Sequence, residues 1–172
     1  SRHGVVNSHF STESGMLMDE AIMNVILEKY HIRIGRKAAE TLKMALGVEW
    51  DLNRDTRICE VCGISTITEL PVKIAVTGEI VAQALNPILY RIFSGITSVI
   101  QMTPPAILGD IREHGIVLIG GVAQLKGLKE LVLKVTDMKA HVADHPSYVN
   151  AVGAGSALEY MDYFRDSLQD LH

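Results

Sequence analysis

Apolar residues recur at helical spacing from Met18 onward: Met18, Ile22, Val25 and Ile26 share one stripe. The spacing predicts a helix over residues 18–30, "MDEAIMNVILEKY". Asp19 and Glu20 fall in its predicted first turn, where the helix dipole favours acids. Residues 4–14, "GVVNSHFSTES", have weak strand character and end in polar turn residues. A second helix is expected over residues 35–47, with Ala38, Leu42, Ala45 and Leu46 as its apolar stripe and Gly47 as its stop. Residues 48–56 are polar and turn-like. Two strands follow, over residues 57–62 and 72–76; in the second, Val72, Ile74 and Val76 alternate with Lys73 and Ala75.

Thr77-Gly78-Glu79 opens a long helix to about Met102, bent at Pro87 and apolar most of the way round, as a buried helix is. Thr103-Pro104-Pro105 breaks it. A short helix over 106–113, a strand over 116–119 and the pair Gly120-Gly121 come next. A helix from about Leu125 to Thr136, a strand over 139–143, a turn at 144–146 and a helix over 147–164 complete the pattern. The last helix carries Ala151, Gly153, Ala154, Gly155 and Ala157, small residues that let it press on a sheet or another helix. The polar tail, 165–172, is expected to fray. Helices with a small sheet, then strand–helix–strand–helix, predict an α/β lobe. Residues 1–19 and 79–172 form its large part, and residues 20–78 a small α/β insertion.

Composition narrows this picture. A chain of 172 residues buries roughly two-thirds of its unfolded surface, so a core forms without staples. With 48% hydrophobic and 21% charged residues it is globular rather than disordered. The formal net charge of −4 implies no basic face and argues against nucleic acid as a partner. The nearly uncharged stretch from Val81 to Leu108 is interrupted by Arg91 and contains Pro87, Gln101, Pro104 and Pro105, so a transmembrane helix is rejected. The two cysteines, Cys59 and Cys62, have the spacing of a redox pair or half a zinc site. No second such pair exists, and strand positions three apart face opposite sides, so a structural role is expected. Two free thiols fit a reducing, cytoplasmic setting. The start, Ser-Arg-His, has neither Met nor a signal-like segment and reads as part of a longer protein.

Few residues offer chemistry. A strand entering a helix through Gly120-Gly121 can turn backbone N–H groups toward an anion or a flat ring, or can simply make a tight turn. Neither glycine-rich dinucleotide nor phosphate-loop spacing is present. Glu40 and Lys43, three apart and off the apolar stripe, offer an acceptor and a donor for a nucleoside; an exposed ion pair is the plainer account. His141 and His145, either side of a strand-to-turn junction ending at Pro146, lack the helical geometry to aim at one metal ion. No catalytic triad with a nucleophile elbow is found, so no catalytic or metal-binding residue is assigned.

Five segments come in one order: "MDEAI" (18–22), "AAETLKMALG" (38–47), "TPPAILGDI" (103–111), "GIVLIGGVAQLKGL" (115–128) and "VADHPSYVNAVGAGSALE" (142–159). In order and spacing they resemble the second half of the MreB/Mbl family of bacterial actin-like proteins, over about residues 4–161. The resemblance implies an actin-like (ribonuclease H-like) ATPase lobe. It implies a cytoplasmic, membrane-associated filament protein that organises wall synthesis and keeps cells rod-shaped. ATP or ADP with magnesium would sit between two lobes. The family's Glu-x-x-Lys position falls on Glu40, Thr41, Leu42 and Lys43, and its glycine-rich turn on Gly120, Gly121, Val122 and Ala123; both would contact base and sugar. Implied partners are further copies of the protein, wall-synthesis and morphogenesis proteins, and a membrane surface met through the first lobe. Three positions depart from the family pattern: Val122 replaces a third glycine, Ser14-Gly15-Met16 a Gly-Gly-Asp, and His145 the Asp of an acidic-Asp-Pro turn. A β-branched residue resists positive φ, so Val122 is expected to change the turn or crowd the nucleotide. The phosphate loops and the water-positioning residue lie outside these residues, so this chain is expected to be inactive alone. The other readings are a divergent paralogue acting as a non-hydrolysing filament-interaction module, and another enzyme of the superfamily such as a sugar kinase.

Overall fold

The structure, a computed structural model, describes residues 5–48 and 57–159. The element order is α1 (Gly15–Tyr30), β1 (Ile32–Arg33), α2 (Arg36–Leu46), β2 (Ile58–Ser65), β3 (Pro71–Thr77), α3 (Gly78–Met102), α4 (Pro105–His114), β4 (Ile116–Leu118), a 3-10 turn (Gly121–Gln124), α5 (Leu128–Thr136), β5 (Ala140–Val142) and α6 (Val149–Glu159). The described strands form two sheets. One is antiparallel in the order β1-β2-β3, and the other is the parallel pair β4-β5.

Helix α1 begins three residues earlier than its apolar stripe suggests. Ser14 is extended and its Oγ accepts from Leu17 N at 3.4 Å, capping the first turn. Asp19 and Glu20 therefore lie beyond that turn, and the dipole account of these two acids fails; Asp19 is instead buried. The helix ends where His31 turns left-handed at φ 56° and returns its N–H to Leu27 O. Helix α2 buries Ala39, Leu42, Lys43 and Leu46, so its inward face includes a lysine that the stripe placed outside.

Strand β2 faces inward through Cys59, Val61 and Gly63, and Val61 lies opposite Ile74 of β3. Cys62 projects outward opposite Lys73, so the two cysteines do take opposite faces, and both thiols are free. Residues 5–14 form no strand, contrary to expectation, because no described segment pairs with them in a ladder. They are strapped to α3 instead: Asn7 Nδ2 donates to Met102 O at 2.8 Å, and Arg91 holds Glu13 through Nε at 2.5 Å and a second nitrogen at 3.0 Å.

One hydrophobic cluster joins both sheets. Met18, Ile22 and Ile26 of α1 meet Leu42 and Leu46 of α2, Val76 of β3, Val81 and Leu85 of α3, and Val132 of α5. Burying a side chain of this size contributes about 1.5–3 kcal/mol. The long α3 holds Pro87 inside it, as the sequence predicts, and packs along α1. No described helix is long and apolar enough to cross a membrane. The helix expected from Leu125 is split: a 3-10 turn ends at Gln124, and α5 starts only after Gly127 at φ 83°. Helix α6 is exposed at every residue from 150 to 158, and its small residues press on nothing. The expected close packing of that helix is not seen; its continuation to 164, the tail 165–172 and the loop 49–56 lie outside the described residues.

Candidate functional site

A cavity of about 450 Å³ opens where α1, α2 and the turn after β4 converge. That is within the usual range for a small-molecule site. Helix α1 contributes Gly15, Met16, Met18 and Asp19 to its wall, and α2 contributes Glu40, Lys43 and Met44. Gly121, Val122, Gln124 and Leu125 come from the turn after β4, and Ser147 from the approach to α6.

Lys43 is only 7% exposed and Asp19 only 5%. The Lys43 ammonium lies 2.7 Å from Asp19 Oδ1 and donates to Gly15 O at 3.0 Å. Asp19 Oδ1 is buried, and the Lys43 ammonium is the charge that meets it. Glu40 sits one helical turn before Lys43 and is exposed at the rim. The expected Glu40–Lys43 surface pair therefore does not form: Lys43 turns inward to Asp19. Opposite-charge partners in a low-dielectric wall attract more strongly than on a surface, which suits a preformed floor for a ligand.

The glycine joint explains itself in backbone terms. Gly120 carries the positive φ, 85°, and its N–H donates to Pro146 O at 2.7 Å. Gly121 then opens the 3-10 turn. Val122 does not share the positive φ, so the expected backbone conflict is absent. Its side chain projects toward α1 instead: a β-carbon at Gly15 would lie 3.5 Å from both Val122 Cγ2 and Lys43 Nζ. Val122 thus narrows one wall of the cavity. Across the rim, Gln124 Nε2 donates to Ser147 Oγ at 2.9 Å, tying the turn to the segment before α6.

Of the eight residues singled out from the sequence, Glu40, Lys43, Gly121 and Val122 line this cavity together. Thr41 turns its hydroxyl to Lys37 O at 2.8 Å, Leu42 is fully buried in the core, Gly120 serves the turn, and Ala123 is buried. Asp19, Gln124 and Ser147 were not anticipated. Asp19 left a signal in the sequence, since it sits at helical spacing with Ile22 and Ile26 on a buried face, and a carboxylate there needs a partner.

A family model, MreB/Mbl protein, matches residues 1–166. The chain belongs to the MreB/Mbl family. It is 31% identical over 158 residues to the cell shape-determining protein Mbl of Bacillus cereus, covering 92% of this chain and 47% of that protein. It is 33% identical over 162 residues to the cell shape-determining protein MreB of Escherichia coli K12, covering 94% and 46%. The chain thus spans about half the length of the MreB and Mbl relatives it matches. Among solved structures, MreB5 of Spiroplasma citri bound to AMPPNP superposes with a TM-score of 0.80 at 22% identity, over 94% of this chain and 48% of that one. The MamK double helical filament gives 0.66 at 21% identity, over 80% and 42%. The described α/β architecture is that of an actin-like lobe.

Proposed function

We propose that this chain is the C-terminal lobe of a nucleotide-dependent, MreB-like filament protein that acts in cell-shape determination and organises wall synthesis. The observation that carries the reading is the convergence of Glu40, Lys43, Gly121 and Val122, from two separate parts of the sequence, on one cavity. An acceptor and a donor on one helix face, opposite a glycine turn, can hold a base and a sugar. The similar MreB5 structures are bound to ADP and AMPPNP, which supports the same ligand class here. In this reading ATP or ADP binds with magnesium, which would offset phosphate charge, and the phosphates would face a first lobe that also meets the membrane. The filament partners are further copies of the same protein, in the cytoplasm beneath the membrane, and the nucleotide controls their assembly. Wall-synthesis and morphogenesis proteins are its other partners.

Calorimetric titration of ADP into the chain tests the nucleotide site. Binding is expected, weakened roughly tenfold in Glu40→Ala, the size of one lost charged hydrogen bond. Equal affinity in the variant, or no binding by either protein, would overturn the reading.

A further inference from the structure

We infer that Arg91 of α3 is a positioning residue for the cavity. By clamping Glu13 it fixes the entry of α1, and with it the Gly15 carbonyl that holds the Lys43 ammonium. Neither residue of the clamp lines the cavity, and the ligand used to test it rests on the nucleotide reading above.

Residues 5–14 run along α3 toward α1 and are anchored at three places. Asn7 Nδ2 donates to Met102 O at 2.8 Å, and the His9 ring lies where a β-carbon on Gly95 would overlap it. The third anchor is Glu13, whose two carboxylate oxygens each accept from the Arg91 guanidinium. A two-pronged pair of this kind fixes direction as well as distance. Ion pairs on a surface contribute little in general, and a bidentate one is the exception. Here the Glu13 side chain is only 7% exposed, while 55% of the Arg91 side chain stays open. Glu13 also differs from the other two anchors in place: it stands directly before Ser14, the N-cap of α1.

From Glu13 the contacts run without a gap to the floor of the cavity. Ser14 Oγ accepts from Leu17 N at 3.4 Å, and Ser14 O accepts from Met18 N at 3.1 Å. The side-chain cap is long for a hydrogen bond, so it holds the entry weakly by itself. Gly15 O, the next carbonyl, accepts from Lys43 Nζ at 3.0 Å, and the same ammonium lies 2.7 Å from Asp19 Oδ1. Lys43 is thus held between the first residue of α1 and a residue one turn further on. Ser14, Gly15 and Met16 all line the cavity. A displaced entry therefore reshapes that wall and takes away one of the two partners of Lys43, while Asp19 stays in place. Asn7 and His9 lie further back along the strap and share no contact with this chain of bonds.

The experiment titrates ADP by calorimetry into the full chain, Glu13→Gln, Arg91→Met, the double variant and Asn7→Ala, and follows amide exchange at Leu17 and Met18 in each. Both clamp variants are expected to bind ADP about three- to tenfold more weakly. The double variant should bind no more weakly than either single one, the pattern of a pair acting as a unit. The shared sign is diagnostic. A long-range charge effect on an anionic ligand would tighten binding in Glu13→Gln and weaken it in Arg91→Met. Exchange at Leu17 and Met18 should quicken in the clamp variants. Asn7→Ala, which frees the far end of the strap, should stay within about twofold of the parent in both measurements. Unchanged affinity in the clamp variants overturns the inference, whatever happens to their melting temperatures, because a clamp that only stabilises the fold gives that result. Opposite signs, additive losses or an equal loss in Asn7→Ala also overturn it. Failure of the unsubstituted chain to bind ADP instead overturns the nucleotide reading. Exchange then decides the clamp alone, and rates equal to the parent's in both clamp variants overturn it.

Discussion

Lys43 follows Leu42 directly on α2, yet its ammonium is nearly as hidden as the leucine, because a carboxylate on another helix waits for it. Buried charges persist only when paired, and here the pair sits in a ligand-sized cavity rather than in the dry core. Val122 changes meaning in the same way. As a residue in a glycine turn it threatened the backbone; in place, it spends its bulk against Gly15 and reshapes the wall. Glu13 gives a prediction at this scale. Two hydrogen bonds from the Arg91 guanidinium hold its carboxyl below the ordinary value of 4.5. A depressed folded value means the contribution to stability is present above about pH 4.5 and fades as pH falls through the lower folded value. Thermal melts between pH 7 and pH 3 should show a smaller acid-induced drop in Glu13→Gln than in the parent. Identical pH profiles would show that the strap between the N-terminal segment and α3 contributes nothing.

Between elements, the residues that follow α2 are joined to those that precede α5 by one backbone bond and one lysine side chain. Val48 N donates to Lys126 O at 2.8 Å, and Lys126 Nζ donates back to Ala45 O at 3.2 Å. Gly47 and Gly127 flank this exchange with φ of 60° and 83°. A β-carbon on Gly127 would overlap the Val48 carbonyl oxygen. Gly127→Ala is therefore expected to lose about 3 kcal/mol from strain and overpacking together, measured by urea denaturation. Gly121→Ala, with open space around it and no positive φ, should lose under about 1 kcal/mol. Similar losses for both would mean that the close approach of Gly127 to Val48 adds nothing to stability. Which elements were legible in the sequence follows from the same physics. Helices α1 to α5 announced themselves through long apolar stripes or proline and glycine boundaries, and β3 through its alternation. Strand β1 has two residues and no period to read. Residues 5–14 alternate weakly, but a strand is a property of a pair. Within the candidate site, residue type and spacing made Glu40, Lys43 and the glycine turn candidates beside plainer accounts, and only the resemblance to the family put them in one site. The Asp19–Lys43 contact spans 24 positions and depends on how two helices pack, which no local pattern records.

At the scale of the molecule, two features belong together. Among the described residues the β4-β5 sheet has only two strands, and α6 is exposed from residue 150 to residue 158, while the chain spans about half the length of its MreB and Mbl relatives. The cavity is open in the same sense: its described wall holds one ammonium, Lys43, against two carboxylates, Asp19 and Glu40. Phosphoryl transfer depends on positioning and on neutralising the charge spread over the transferred group. A wall with more negative than positive groups can seat a neutral nucleoside but does not stabilise that charge. Magnesium-dependent release of phosphate from ATP by the 172-residue chain is therefore expected to stay at the buffer background, even where the chain binds ADP. The decisive comparison is a continuous phosphate-release assay on the chain and on Lys43→Ala, with and without magnesium. Turnover above background that needs magnesium and disappears in Lys43→Ala would show that this cavity supplies the cationic environment by itself. It would also mean that Lys43 leaves Asp19 for the phosphates when ATP binds.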